Sequence, residues 1–278
     1  MKNCQPPHQD TPIVISVTSG KGGVGKSIVV SNLAIVYQRM GKRVLIFDAD
    51  LGLANMDIIF GIRPKHTIED VIKGEKELSQ IIVKGLEGVS LIPACSGEME
   101  LTHLSEGQKI NLLNEFDILN KMFDILLIDT GAGISSNVIY FNLASQERLV
   151  VVSPEPTSIT NAYALMKVMF EHHGTENFFL LLNMVKDEKE AKAVYDQLSK
   201  SVARYMASIS LNYAGFIPRD DHLCDAVSRR EPVICCYPEA PSSLRFQVLA
   251  EYLLKGSNGR PHDGNIKFLC KRLMAAID

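Results

Sequence analysis

A glycine-rich segment of eight residues constrains this chain more than any other feature. Residues 20–27 read GKGGVGKS and fit the pattern G-x-x-x-x-G-K-[ST]. An apolar run at 13–18 precedes the segment, and a stretch with helical period at 25–40 follows it. A strand, a glycine loop and a helix in this order predict backbone N–H groups that surround phosphates at the positive end of the helix. We therefore predict a nucleotide site formed by Gly20, Lys21, Gly22, Gly23, Val24, Gly25, Lys26 and Ser27.

Short apolar runs alternate with longer amphipathic stretches along the rest of the chain. The predicted strands are 13–18, 43–48, 89–93, 123–129, 148–153, 178–183 and 213–217. The predicted helices are 25–40, 105–120, 135–143, 158–172, 188–201, 221–228 and 242–254. Because the strands are apolar almost throughout, both faces of their sheet should be covered by helices. The pattern predicts an α/β fold with a doubly wound, mostly parallel sheet, whose ligands bind beyond the carboxyl ends of the strands.

The two ends of the chain differ from the middle. Residues 1–12 are polar and predict a flexible tail, whereas 13–255 carry the alternating pattern of one nucleotide-binding domain. Residues 256–265 are rich in chain breakers and predict a linker before a cationic amphipathic helix at 266–278. Its apolar face consists of Ile266, Leu269, Leu273 and Ile277. Two interpretations of this helix stay open: weak contact with an anionic membrane surface, and docking on the domain of the same chain.

The charge balance excludes some classes of function. The chain has 278 residues, with 29 basic and 32 acidic side chains and a net charge of -3. Because positive charge is not in overall excess, we expect no direct sequence-specific binding to nucleic acid. The longest apolar runs are far shorter than the ~20 residues that cross a bilayer. We expect a cytoplasmic protein, with peripheral attachment at the inner face of the cell membrane or at the cell pole as an open alternative.

Three aspartates follow or end predicted strands. Asp48 and Asp50 come at the end of the strand 43–48, and Asp129 ends the strand 123–129. At the carboxyl edge of a parallel sheet all three would lie beside the phosphate loop. There Lys26 would reach the β- and γ-phosphates, and the Ser27 hydroxyl would ligate Mg²⁺. Of Asp48 and Asp50, one would hold Mg²⁺ or its water and the other would orient an attacking water.

Lys21 is a second lysine inside the loop. Two positive charges side by side repel each other unless an anion meets the second one. One solution is a dimer in which each Lys21 reaches the phosphates of the opposite subunit and neutralises charge during phosphoryl transfer. The other interpretation is a lysine that points into solvent.

Further segments carry a resemblance to a known family. Residues 48–57 read DADLGLANMD, 129–133 read DTGAG, 154–165 read PEPTSITNAYAL and 264–268 read GNIKF. Together with Lys21 in the loop, they resemble the deviant Walker A ATPases of the MinD/ParA family. Within that family the resemblance is to the branch of flagellar number regulators, the FleN (FlhG) branch.

The resemblance implies a set of roles for individual residues. It implies ATP or ADP with Mg²⁺ as cofactors, a homodimer that closes over ATP, and slow hydrolysis. In that dimer Lys21 acts across the interface, Asp50 positions the attacking water, and Asp129 and Ser27 hold Mg²⁺. The remaining matched positions are Asn183, which recognises adenine; Pro218, Arg219 and Asp220, a second base-contacting segment; and Glu155, beside the partner's nucleotide. The implied protein partner is a σ54-dependent flagellar activator of the FleQ type, which the protein restrains while it limits flagellar number and placement.

Some functions stay open at this point. Residues 1–12 lack the glutamine-rich stretch by which some relatives stimulate the GTPase FlhF, so FlhF remains an open partner. Gly131 stands where the family often carries proline or alanine. A spatial organiser of cell division or partition is the first alternative function. An iron–sulfur carrier or a metabolic enzyme is the second, although the six cysteines form no C-x-x-C pair that would hold a bridged cluster.

Overall fold

The computed structural model describes residues 12–50, 56–94, 105, 107–108, 115, 119 and 122–257. Within them, eight strands form one sheet in the order β3-β4-β2-β5-β1-β6-β7-β8. The strands are β1 (Ile13–Ser19), β2 (Val44–Ala49), β3 (Val83–Lys84), β4 (Ser90–Ile92), β5 (Ile125–Ala132), β6 (Glu147–Val152), β7 (Asn177–Val185) and β8 (Ser210–Pro218). All neighbouring strands run parallel except β3, which is antiparallel to β4. The predicted fold class is confirmed.

Helices cover the sheet on both faces. They are α1 (Lys26–Arg39), α2 (Met56–Ile59), α3 (Ile68–Ile72), α4 (Leu78–Ile81), α5 (Ser136–Ala144), α6 (Pro156–His173), α7 (Glu188–Tyr205), α8 (Asp221–Arg229), α9 (Val233–Cys236) and α10 (Pro241–Ser257). None of the helices in the described part of the chain is long and apolar enough to cross a membrane.

The burial of β1 shows why these sequences form central strands. All seven of its residues are buried. Ile13, Ile15 and Val17 belong to the buried cluster that includes side chains of α1 and α10, whereas Val14 belongs to the cluster on the opposite face, which includes side chains of α3, α4 and α5. Because side chains alternate between the two faces of a strand, a strand covered on both sides must be apolar along its whole length.

The seven predicted strands are all present, with ends that differ by a few residues. Sequence periodicity missed β3 and the helices α2, α3, α4 and α9, since elements of two to five residues are too short to show a period. The predicted helix 105–120 falls mostly outside the described residues. So do the predicted tail at 1–12, apart from Pro12, and the predicted amphipathic helix at 266–278.

The parallel strands bring their carboxyl ends to one edge of the sheet. The phosphate loop follows β1, Asp50 follows β2, and a glycine-containing turn follows β5. The N–H of Gly133 in that turn donates to the carbonyl of Ser19, at 2.9 Å, so the turn is tied to the start of the phosphate loop. The candidate site is built at this edge.

Candidate nucleotide site

The phosphate loop, residues 20–25, connects β1 to α1. A Cβ added at Gly20 would lie 2.2 Å from the backbone carbonyl of Asn161 at the start of α6. Gly25 has a φ of +93°, and a Cβ there would lie 2.4 Å from Nδ2 of Asn183. No atom lies within 4 Å of a Cβ added at Gly22 or Gly23. The loop is therefore held tightly at its two ends and presents bare backbone to solvent between them, as phosphate binding requires.

Lys26 and Asp129 form the buried centre of the site. Burial lowers the pKa of Lys26, while the carboxylates of Asp129 and Asp50 act in the opposite direction. Burial also raises the pKa of Asp129 to about 8; the neighbouring Asp48 adds to this rise, and hydrogen bonding to Ser27 and the charge of Lys26 counteract it. Lysine and carboxyl side chains are seldom buried at this depth without a ligand or a partner.

One oxygen of Asp129 shows whether a cation fits there. Its Oδ1 is buried and has no hydrogen-bond partner among the described residues. The Ser27 hydroxyl forms a hydrogen bond with the same carboxyl group. A buried carboxylate oxygen without a partner, next to a hydroxyl at the end of the phosphate loop, fits one side of a Mg²⁺ site. Within the described part of the chain, no three His, Cys, Asp or Glu side chains could hold a metal by themselves. This suits Mg²⁺, which is typically held by one or two protein groups together with phosphates and water.

Asp48 and Asp50 occupy different environments. Asp48 lies opposite Asp129 in the register between β2 and β5. Its carboxylate accepts the backbone N–H of Met56, at 3.1 Å, and that of Asp50, at 3.3 Å. Asp50 is half-buried, and its Oδ1 lies 3.6 Å from where a Cβ on Gly131 would stand. Asp48 thus anchors the start of α2, and the Asp50 carboxylate lies beside the carboxyl end of β5 at Gly131.

Lys21 and Glu155 form an ion pair within one chain. Both are partly exposed, with 35% and 58% of their side-chain surface accessible. Within a single chain, the anion that pairs with Lys21 is therefore Glu155, at the start of α6. Ion pairs this exposed contribute little to stability and exchange partners readily.

Asn183 ends the buried part of β7 beside the phosphate loop. Its Nδ2 donates to the carbonyl of Val24, at 2.7 Å, and its Oδ1 accepts the N–H of Met184, at 2.9 Å. Asn183 is 3% exposed, and Val24 is buried in the core. The predicted base-recognising residue is therefore joined directly to the phosphate loop.

The segment 218–220 lies next to Asn183. Asn183 pairs with Ile217 and Val185 with Pro218 in the register between β7 and β8. Arg219 donates through its backbone N–H to the carbonyl of Val185, at 2.7 Å, and through Nε to the carbonyl of Met184, at 2.9 Å.

The carboxylate of Asp220 forms hydrogen bonds within the protein. It caps α8 by accepting the N–H of His222, and it accepts both the N–H and the hydroxyl of Ser242, at 3.0 and 2.6 Å. Burial opposes its ionisation, but these hydrogen bonds outweigh burial and hold its pKa below the usual value. Of the three residues matched to a base-contacting segment, Asp220 is the one whose carboxylate is used to hold two helices, α8 and α10.

Sequence reasoning missed Met184. It has a φ of +60°, which is unusual for a residue with a side chain. No sequence signal marks such a conformation when the residue is not glycine, asparagine or aspartate.

The comparisons with known proteins agree with this geometry. The model of the CobQ/CobB/MinD/ParA nucleotide binding domain matches residues 15–233. The chain belongs to this family. It is 40% identical over 261 residues to the antiactivator FleN of Pseudomonas aeruginosa, covering 94% of this chain and 93% of FleN. It is 36% identical over 265 residues to the flagellum site-determining protein YlxH of Helicobacter pylori, covering 94% and 89%.

Solved structures support the fold. The septum site-determining protein MinD of Pyrococcus horikoshii, complexed with Mg-ADP, superposes with a TM-score of 0.71 at 24% identity. The match covers 89% of this chain and 98% of that one. The family resemblance seen in the sequence is confirmed, and this chain is a nucleotide-binding member of the MinD/ParA ATPases.

Proposed function

We propose that this protein is an ATP-driven regulatory switch that limits flagellar number and placement and restrains a flagellar activator of the FleQ type. The observation that carries the proposal is the near full-length similarity to the antiactivator FleN, together with the similarity to YlxH. In this function ATP hydrolysis sets how long the ATP-bound state lasts, and surfaces exposed in one nucleotide state bind the partner proteins.

The described residues support nucleotide chemistry at the carboxyl edge of the sheet. Lys26 meets the phosphates as a buried cation, and the open backbone at Gly22 and Gly23 donates N–H groups to the phosphate oxygens. Ser27 and Asp129 would hold Mg²⁺, which would neutralise phosphate charge. Asp50 orients the attacking water from its position beside the carboxyl end of β5. Asp48 supports the site indirectly, because its carboxylate accepts the backbone N–H groups of Asp50 and Met56 and holds them in place.

The proposal includes a homodimer that forms with ATP. Lys21 and Glu155 lie together on the exposed rim of the phosphate loop. When a second copy brings its phosphates to this rim, Lys21 exchanges the single charge of Glu155 for the larger charge of a triphosphate. Glu155 is then released toward the partner's nucleotide. The weakness of an exposed ion pair makes this exchange feasible.

Finer parts of the proposal concern the ends of the chain and further partners. Residues 13–255 form the ATPase domain, and 256–265 link it to the amphipathic segment 266–278. That segment either contacts anionic lipid or docks on the domain, and the protein works in the cytoplasm or at the inner face of the membrane. ATP-dependent pelleting with anionic liposomes, with and without residues 264–278, separates the two. Stimulation of FlhF GTPase activity by the purified protein tests that further partner.

Counting flagella after gene deletion tests the main proposal. We expect an excess of flagella per cell, restored to normal by the wild-type gene and not by Lys26→Ala. Lys192→Ala, an exposed lysine on α7 with 63% of its side chain accessible, is the matched control and should restore the number. A normal flagellar number with a division or partition defect would contradict the proposal and favour the spatial organiser.

A further inference from the structure

We propose that Met184 binds the base of the nucleotide, by presenting its thioether side chain as an apolar platform for the flat face of a purine. The inference rests on the proposed nucleotide function and names a residue that the family motifs do not mark. Met184 sits where the pairing of β7 with β8 shifts its register, between Asn183 and Val185. Such a bulge at the end of a strand redirects one side chain out of the sheet.

The backbone of Met184 is held in an unfavourable conformation. Its φ of +60° lies in the left-handed region, where a Cβ crowds the following carbonyl and glycine is preferred. Three hydrogen bonds keep the bulge in place. Arg219 donates to the carbonyls of Met184 and Val185, and Met184 donates its N–H to Asn183. Strain that is fixed so firmly by neighbouring groups is typical of functional sites.

The side chain of Met184 lies beside the phosphate loop. A Cβ added at Gly25 would be 3.7 Å from Cε of Met184. At the same time 38% of Met184 is exposed, which makes it one of the large apolar residues at the surface of the described structure. An exposed thioether beside the end of the phosphate loop is placed to cover a group attached to the bound phosphates.

Asn183 supplies the polar complement to that platform. Its amide has two N–H donors and two acceptor lone pairs on oxygen, of which Val24 and Met184 use one each. One donor and one acceptor remain for the edge of a base. An apolar face from Met184 and a polar edge from Asn183 together fit a planar heteroaromatic ligand, and methionine sulfur makes favourable contacts with such rings.

Comparing ATP with inorganic tripolyphosphate tests the inference, because tripolyphosphate carries the phosphates without a base. Binding of each to the full-length protein is measured by calorimetry with Mg²⁺, for the wild type, Met184→Gly and Met184→Leu. Met184→Gly should weaken ATP binding about tenfold. Its affinity for tripolyphosphate should be unchanged, and its unfolding temperature should not fall, because glycine adopts this φ freely. Met184→Leu keeps an apolar face and should bind ATP within about twofold of the wild type.

Three results would overturn the platform. They are unchanged ATP affinity in Met184→Gly, an equal loss for ATP and tripolyphosphate, and a loss in Met184→Leu as large as in Met184→Gly. Lys26→Ala separates this failure from failure of the proposed function. If Lys26→Ala binds neither ATP nor tripolyphosphate while Met184→Gly binds both as the wild type does, the nucleotide site is supported and the role of Met184 is refuted. If the wild type does not bind ATP, both the proposed function and the role of Met184 are refuted.

Discussion

Replacing Asp129 by asparagine should stabilise the nucleotide-free protein while removing its response to Mg²⁺ and ATP. Asp129 is 1% exposed at the end of β5, opposite Asp48, and its Oδ1 has no partner among the described residues. Asparagine has almost the same shape and carries no charge. The substitution therefore removes the cost of burying a carboxylate and leaves the packing of the strand intact.

The magnitude follows from the pKa of Asp129. Burial, with a contribution from Asp48, raises it from 3.8 in a free side chain to about 8. Because the folded pKa lies above the unfolded value, the carboxyl group destabilises the fold increasingly as the pH rises from about 4 to about 8. At roughly 1.4 kcal/mol per pH unit, the cost is up to about 4 kcal/mol at pH 7 and about 2 kcal/mol at pH 5. The Asp129→Asn substitution would relieve this cost at both pH values.

Urea denaturation of protein treated with EDTA and freed of nucleotide measures the effect at pH 5 and pH 7. We expect a higher free energy of unfolding for Asp129→Asn than for the wild type, with the larger gain at pH 7. Asp124→Asn is the control of opposite sign, because hydrogen bonding to Arg43 outweighs burial and holds the pKa of Asp124 below its usual value. It should lose stability at pH 7. The reasoning would be refuted if Asp129→Asn did not raise the free energy of unfolding, or raised it equally at pH 5 and pH 7.

Three further substitutions test the site. Lys26→Ala should abolish ATP binding measured by calorimetry, because the buried cation that meets the phosphates is lost; retained binding would exclude that role. Asp50→Ala should bind ATP and remain a dimer by light scattering, because water is no longer oriented for hydrolysis; a monomer with ATP would count against it. Gly20→Ala places a Cβ 2.2 Å from the carbonyl carbon and oxygen of Asn161 and should lower the unfolding temperature and ATP affinity together. A matched substitution at Gly22, where no atom lies within 4 Å of the added Cβ, should leave stability unchanged.

The sequence predicted the fold well because the fold follows from local patterns. Apolar runs such as Ile125–Ile128 match a strand buried on both faces, and the motif at 20–27 sits between β1 and α1 as its chemistry requires. The predicted Asp48, Asp50 and Asp129 all lie at the carboxyl edge because parallel strands end there.

Features that depend on contacts between distant residues were not predictable. The pairing of Lys21 with Glu155 joins residues that are 134 positions apart. Asp220 matches a base-contacting segment by sequence, yet its Oδ2 accepts two hydrogen bonds from Ser242 on α10. The left-handed backbone of Met184 results from hydrogen bonds to Arg219, and no property of methionine itself indicates it.

The most direct test of the account is the mass of the purified protein in solution with each nucleotide. Light scattering should give a monomer with ADP and twice that mass with ATP and Mg²⁺. Lys21→Ala should bind ATP with unchanged affinity and stay a monomer, because its loop has no cation to reach the second triphosphate. A wild-type protein that remains a monomer at saturating ATP, or a Lys21→Ala variant that dimerises and turns over ATP normally, would contradict the central claim.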